Sequence, residues 1–146
     1  MKKVVLLIAI FLLAGCANTS KFSLTDKYYN IGEFISIASS DIKSDESFIL
    51  YTYNNFCALP IHCENIFKEV LEKYQIDALS IPFDEFKNTS FYNEVKYAPS
   101  ILLIQNGKLI AYLKADSDDD YDKYQKVEEF EKWLEKYIIL KREQND

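Results

Sequence analysis

The chain has 146 residues, of which 49% are hydrophobic and 27% charged. That suits one globular domain with an apolar core and excludes both disorder and a two-domain layout. A formal net charge of -6 argues against a nucleic-acid partner, because a phosphate-binding surface needs clustered Lys and Arg. Three cysteines are too few for a disulfide-stapled miniprotein.

Lys2-Lys3 precede the apolar run Val4 to Ala14. The run is about half the ~20 residues that a membrane span requires. A charged start with a short apolar middle marks a signal peptide. It ends in Leu13-Ala14-Gly15-Cys16, which resembles the lipobox of bacterial lipoproteins. The resemblance implies cleavage before Cys16, a diacylglyceryl group on its sulfur, and no redox role for that thiol. Several acyl chains give stable membrane anchoring outside the cytoplasm. Ala17, where an Asp would retain many lipoproteins at the inner membrane, favours the outer membrane in a Gram-negative cell. The expected layout is a signal peptide over 1–15, the lipidated cysteine and a polar tether over 16–27, a folded domain over 28–140, and a polar tail over 141–146.

Within the domain, residues 28–31 are expected to form a first strand. Glu33 to Ser39, with Phe34, Ile35, Ile37 and Ala38 apolar, reads as a short helix, and Ser40 to Ser47 as a loop. Phe48-Ile49-Leu50-Tyr51-Thr52-Tyr53 is a buried strand, which Asn54-Asn55-Phe56 interrupt before Cys57. Pro60 suits the first turn of a helix. Beyond it Ile61, Ile66, Phe67, Val70, Leu71 and Tyr74 recur at helical spacing. Cys57 would then sit near a helix N-terminus, where unpaired N–H groups and the helix dipole favour a thiolate.

The second half continues with a strand at Ala78 to Phe83 and a short helix at Phe91 to Val95, capped by Thr89 or Ser90. Tyr97-Ala98-Pro99-Ser100 leads into a strand through Ile104. Asn106-Gly107 is a two-residue hairpin signal, and Lys108 to Lys114 is the returning strand. Asp116 to Asp122 has aspartates at alternate positions but lacks the glycine and closing glutamate of a calcium loop, so it reads as a solvated acidic loop. A last helix over 126–140 places Val127, Phe130, Leu134, Tyr137 and Ile138 on one face, with Trp133 packing beside them.

This order of elements, with a cysteine at the first long helix and a proline leading into the hairpin, resembles the thioredoxin family over about Tyr28 to Leu140. The resemblance implies a three-layer α/β/α fold with a mixed sheet of four or five strands. It also implies a cis peptide at Ala98-Pro99, a substrate-docking loop there facing Cys57, and no cofactor. The expected activity is thiol–disulfide exchange on exported or envelope proteins. The competing expectation is a module that binds a peptide or envelope partner through the same groove without catalysis.

The cysteines depart from the family motif. Thioredoxins separate two cysteines by two residues, whereas here Pro60 stands at the second position and the next cysteine is Cys63. A helix starting at Pro60 would put Cys63 one turn inside it, beyond the ~7 Å Cα limit of an unstrained disulfide. A helix starting at Cys63 would leave a five-residue loop able to bring the sulfurs together. Three readings stand: a Cys57/Cys63 redox pair, a solitary Cys57 with Cys63 packed in the core, or metal ligation by Cys57, His62 and Cys63. His62, the sole histidine, is read as solvated. The strand before Cys57 offers no acid for proton shuttling.

Overall fold

The computed structural model describes residues 20–54 and 60–140. Cys57, the lipobox with Cys16, and the 141–146 tail lie outside the described residues. Among those described, a five-stranded mixed sheet has the order β1-β3-β2-β4-β5. The strands are β1 Phe34–Ser36, β2 Phe48–Tyr53, β3 Ala78–Pro82, β4 Ser100–Gln105 and β5 Lys108–Tyr112. β1, β3 and β2 run parallel, and β4 is antiparallel to both β2 and β5. The helices are α1 Cys63–Tyr74, α2 Phe83–Phe86, α3 Tyr121–Gln125 and α4 Val127–Tyr137. This is the expected three-layer α/β/α arrangement.

Strands β2 and β4 read as continuous apolar runs because both of their faces are covered. Leu50 pairs with Leu102 and Tyr51 with Ile101, all of them buried. Helix α1 turns Cys63, Ile66, Phe67, Val70 and Leu71 inward, the 3-1-3-1 spacing of one helical face. Glu64 in its first turn and Lys73 in its last complement the helix dipole. Phe67 is the centre of the α1 side, with ring centroids 5.6 Å from Tyr51, 5.6 Å from Tyr124 and 4.6 Å from Phe130. Trp133 packs on Phe130 and Tyr137 as expected. The hairpin turn has positive φ at both Asn106 (48°) and Gly107 (73°), the geometry that an Asn-Gly pair tolerates best.

Six boundaries differ from expectation. The expected strand over 28–31 does not form: Asp26–Tyr28 is a 3-10 turn, and Tyr29 makes an isolated bridge to Ile76. The first strand lies at Phe34–Ser36, where a helix was expected, because it finds a parallel partner in Ala78–Ser80. Pairing in the tertiary structure outweighs a local pattern that is too short to choose. Phe83 belongs to helix α2 and not to the preceding strand, which ends at Pro82, and the next turn, Ser90–Asn93, is a 3-10 helix. The final helix, α4, ends at Tyr137, short of residue 140, and a separate short helix, α3, precedes it across Lys126. The folded unit starts before Tyr28: Phe22 and Leu24 are buried, and Phe22 bridges Ile138 through backbone bonds to Tyr137 and Ile139. A tether extending to residue 27 is therefore too long.

Asp77 directs the chain into β1. Its buried carboxylate accepts hydrogen bonds from the backbone N–H groups of Ile31, Gly32 and Glu33 at 3.3, 2.9 and 2.9 Å, and from the Asn30 amide at 3.0 Å. Gly32 has φ +87°, and a side chain there would collide with the Glu72 backbone. Burial alone would raise the Asp77 pKa, but the bonds from Glu33, Asn30, Gly32 and Ile31 outweigh it and hold the carboxyl below its ordinary value. A depressed folded-state pKa adds stability above the unfolded value of about 3.9, and that stability is lost as pH falls through the folded value. Asp77→Ala is expected to lower the unfolding free energy by ~2–4 kcal/mol. Asp77→Asn should flatten the acid limb of a stability–pH curve measured by urea unfolding.

Candidate functional site

Strand β2 ends at Tyr53 and its antiparallel neighbour β4 begins at Ser100, with Thr52 opposite Ser100. The chain leaving β2 and the chain approaching β4 therefore meet at one edge of the sheet. This is also the carboxyl edge of the parallel strands, where α/β folds place their ligands. Asn54 Nδ2 donates to the Ala98 carbonyl at 3.2 Å. The Ala98–Pro99 peptide is cis, as the family resemblance implied. The residue flanking the Cys57 segment on its N-terminal side is thus bonded to the proline loop, although Cys57 itself lies outside the described residues.

Pro60 does not open the helix. α1 starts at Cys63 with His62 as its N-cap, and the Asn65 N–H donates to the His62 carbonyl at 3.0 Å. Of the two placements the sequence left open, the structure has the one with Cys63 at the first helical position. Among the described residues, Cys63 is the cysteine at the helix terminus. Its side chain is 1% exposed, and its Sγ lies 3.8 Å from the Tyr51 hydroxyl. His62 is exposed.

Two residues of α3 complete the site, and sequence reading missed both. Gln125 clamps the backbone of Ile61: its Nε2 donates to the Ile61 carbonyl at 3.0 Å and its Oε1 accepts from the Ile61 N–H at 3.2 Å. The buried Tyr124 hydroxyl lies 2.9 Å from the Pro99 carbonyl and 2.8 Å from that of Leu113. Burial pushes the Tyr124 phenol far above its ordinary pKa, the Ser100 hydroxyl partly offsetting it, so the group stays a proton donor. The short helix starts at the end of the acidic stretch and runs on through Gln125, and it is too short and polar for apolar periodicity to mark it. Asp120, from that stretch, binds the Lys114 N–H at 2.8 Å and Lys123 Nζ at 2.8 Å, which turns the chain into α3.

Beside Ala98–Pro99 a depression of about 200 Å³ opens between Lys96, Tyr97, Ser100, Tyr112 and Lys114. Tyr97 and Ile61 expose 57% and 46% of their surface near it and near the start of α1. The arrangement offers an apolar and aromatic rim around a proline loop, with a buried thiol at a helix N-terminus.

The fold as a whole superposes on solved structures. Spinach chloroplast thioredoxin f superposes with a TM-score of 0.50 at 11% identity, over 80% of this chain and 98% of that one. Thioredoxin from Trypanosoma brucei brucei gives 0.50 at 10% identity, over 73% and 95%. The chain has a thioredoxin-like fold. No family model matches the sequence, and neither does any curated protein. At these identities the thioredoxin-like likeness concerns architecture, and the chemistry rests on this chain's own residues.

Loss of the Gln125 clamp should free the approach to α1 without unfolding the sheet. Gln125→Ala is expected to speed amide hydrogen exchange at Ile61 several-fold, by about the net worth of one exposed hydrogen bond. Exchange in β2 and β4 should be unchanged.

Proposed function

We propose that this chain is a lipid-anchored, extracytoplasmic thioredoxin-like protein that exchanges disulfides with exported or envelope proteins. The observation that carries the reading is the juxtaposition of the Ala98–Pro99 loop, the residues flanking Cys57 and the N-terminal thiol of α1. Cys57 attacks a substrate disulfide R–S–S–R′, forming a Cys57–S–S–R bond and releasing R′–S⁻. The Cys63 thiolate then attacks the Cys57 sulfur. A Cys57–Cys63 disulfide forms, the bond to R breaks, and the R sulfur leaves as a thiolate that takes up a proton. The dithiol is oxidised as the substrate is reduced, and the reverse sequence oxidises a substrate dithiol.

The shielding of Cys63 suits the resolving role. A sulfur this buried reacts slowly with bulky solutes, which suits a thiol whose partner is another sulfur of the same chain. Ala98 and Pro99 form the floor on which the substrate backbone lies, with Tyr97 and Ile61 as apolar contacts at its margin. Cys16 carries the acyl chains, and the tether positions the domain outside the cytoplasm.

In an insulin-reduction assay the wild type should turn over, and Cys57→Ser should fall to the background rate. Cys63→Ser should accumulate a mixed disulfide with substrate that mass spectrometry detects. A wild type as inactive as Cys57→Ser, with both thiols still titrating after air oxidation, would leave a non-catalytic binding module. Cys16→Ser should abolish incorporation of labelled palmitate and release the protein from the membrane fraction.

A further inference from the structure

The hydroxyl of Tyr51 lies inside the core beside the one sulfur that the described residues place at a helix end. Tyr51 is 4% exposed, in the middle of the central strand β2, where Phe and Ile serve elsewhere along the same strand. Its ring is held on three sides, by Phe34 at 5.1 Å, Tyr53 at 5.7 Å and Phe67 at 5.6 Å. These contacts leave the phenolic oxygen little freedom, and it points to Cys63 Sγ at 3.8 Å. Cys63 is the first residue of a twelve-residue helix, so the N-terminal field favours negative charge on its sulfur. Burial acts in the opposite direction, because an apolar surrounding disfavours a thiolate. A hydroxyl donor aimed at the sulfur supplies what removal from water takes away.

We infer that Tyr51 is the hydrogen-bond donor that stabilises the Cys63 thiolate and so sets the rate at which Cys63 resolves a mixed disulfide. This rests on the thiol–disulfide reading above and adds a residue to it. In the resolving step Cys63 first gives its proton to solvent. The Tyr51 O–H then donates to the sulfur while it carries charge. The bond to the sulfur weakens as the Cys63–Cys57 bond forms, and the departing substrate thiolate takes up a proton from water. Tyr51 keeps its own proton throughout. The other titratable groups on the surrounding elements are Tyr53 on β2 and Tyr124 on α3, which interacts electrostatically with Cys63, with His62 and Glu64 on either side of Cys63 in the chain.

The test uses the full chain and peptide-resolved alkylation mass spectrometry, which reads Cys63 separately from Cys16 and Cys57. In Tyr51→Phe the pH midpoint for Cys63 alkylation should rise by about one unit, and mixed-disulfide resolution at neutral pH should slow about tenfold. Attack by Cys57 on the substrate should keep its wild-type rate. A fluorinated tyrosine at position 51, a stronger donor of the same shape, should move the midpoint the other way, and it serves where Tyr51→Phe does not fold. An unchanged Cys63 midpoint in both variants overturns the inference, while a Cys57–Cys63 disulfide in the same samples leaves the exchange reading standing. A shifted midpoint with no such disulfide supports the hydrogen bond and overturns the exchange reading on which its catalytic role depends.

Discussion

Tyr124 joins the parts of this molecule that have to stay together. Its ring packs on Phe67, at the centre of the face where α1 meets the sheet. Its hydroxyl reaches the carbonyls of Pro99 and Leu113, at the start of β4 and just beyond β5. One side chain thus fixes the helix that begins at Cys63 relative to the Ala98–Pro99 loop. Because the phenol is buried, its proton is committed to those carbonyls, and a lost bond would leave unsatisfied polar groups in the interior. The next residue, Gln125, extends the tie to the backbone of Ile61.

The two ends of the sheet have separate duties. At the amino end of β3, Asp77 spends its carboxylate on the N–H groups of residues 31–33 and sets the path into β1. It is a buried acid with a structural task, and the parallel register of β2 with β3 places it far from the carboxyl edge where Cys63 lies. At that edge, among the described residues, the Tyr51 phenol lies 3.8 Å from the Cys63 thiol. A phenol can stabilise a thiolate by donation, but unlike a carboxylate it does not take up a proton near neutral pH.

Strong periodic patterns survived intact from sequence to structure. Phe48–Tyr53 formed the central strand, the 3-1-3-1 apolar spacing formed α1, and Asn106-Gly107 formed the hairpin turn. Short segments did not behave this way. Phe34–Ser36 has three residues, less than one helical turn and too few to show alternation, and became a strand because β3 lay alongside. α3 is five residues of largely polar sequence whose placement depends on Asp120 and on the buried ring of Tyr124. The start of α1 was also ambiguous. Pro60 suits a first turn, but the clamp on Ile61 keeps residues 60–62 out of the helix.

By itself the sequence determined the α/β class, the central strands, the helix that follows the cysteine segment and the hairpin that follows the proline, because each is written in a local repeat or a turn residue. The order of strands, the cysteine that occupies the helix terminus, and the reach of Tyr51 and Tyr124 to their partners were decided only in three dimensions. These depend on contacts between residues twelve or more positions apart, such as Tyr51 with Cys63 and Tyr124 with Pro99. No local pattern encodes such pairs, since a buried tyrosine looks the same in sequence whether its hydroxyl meets a carbonyl or a thiol.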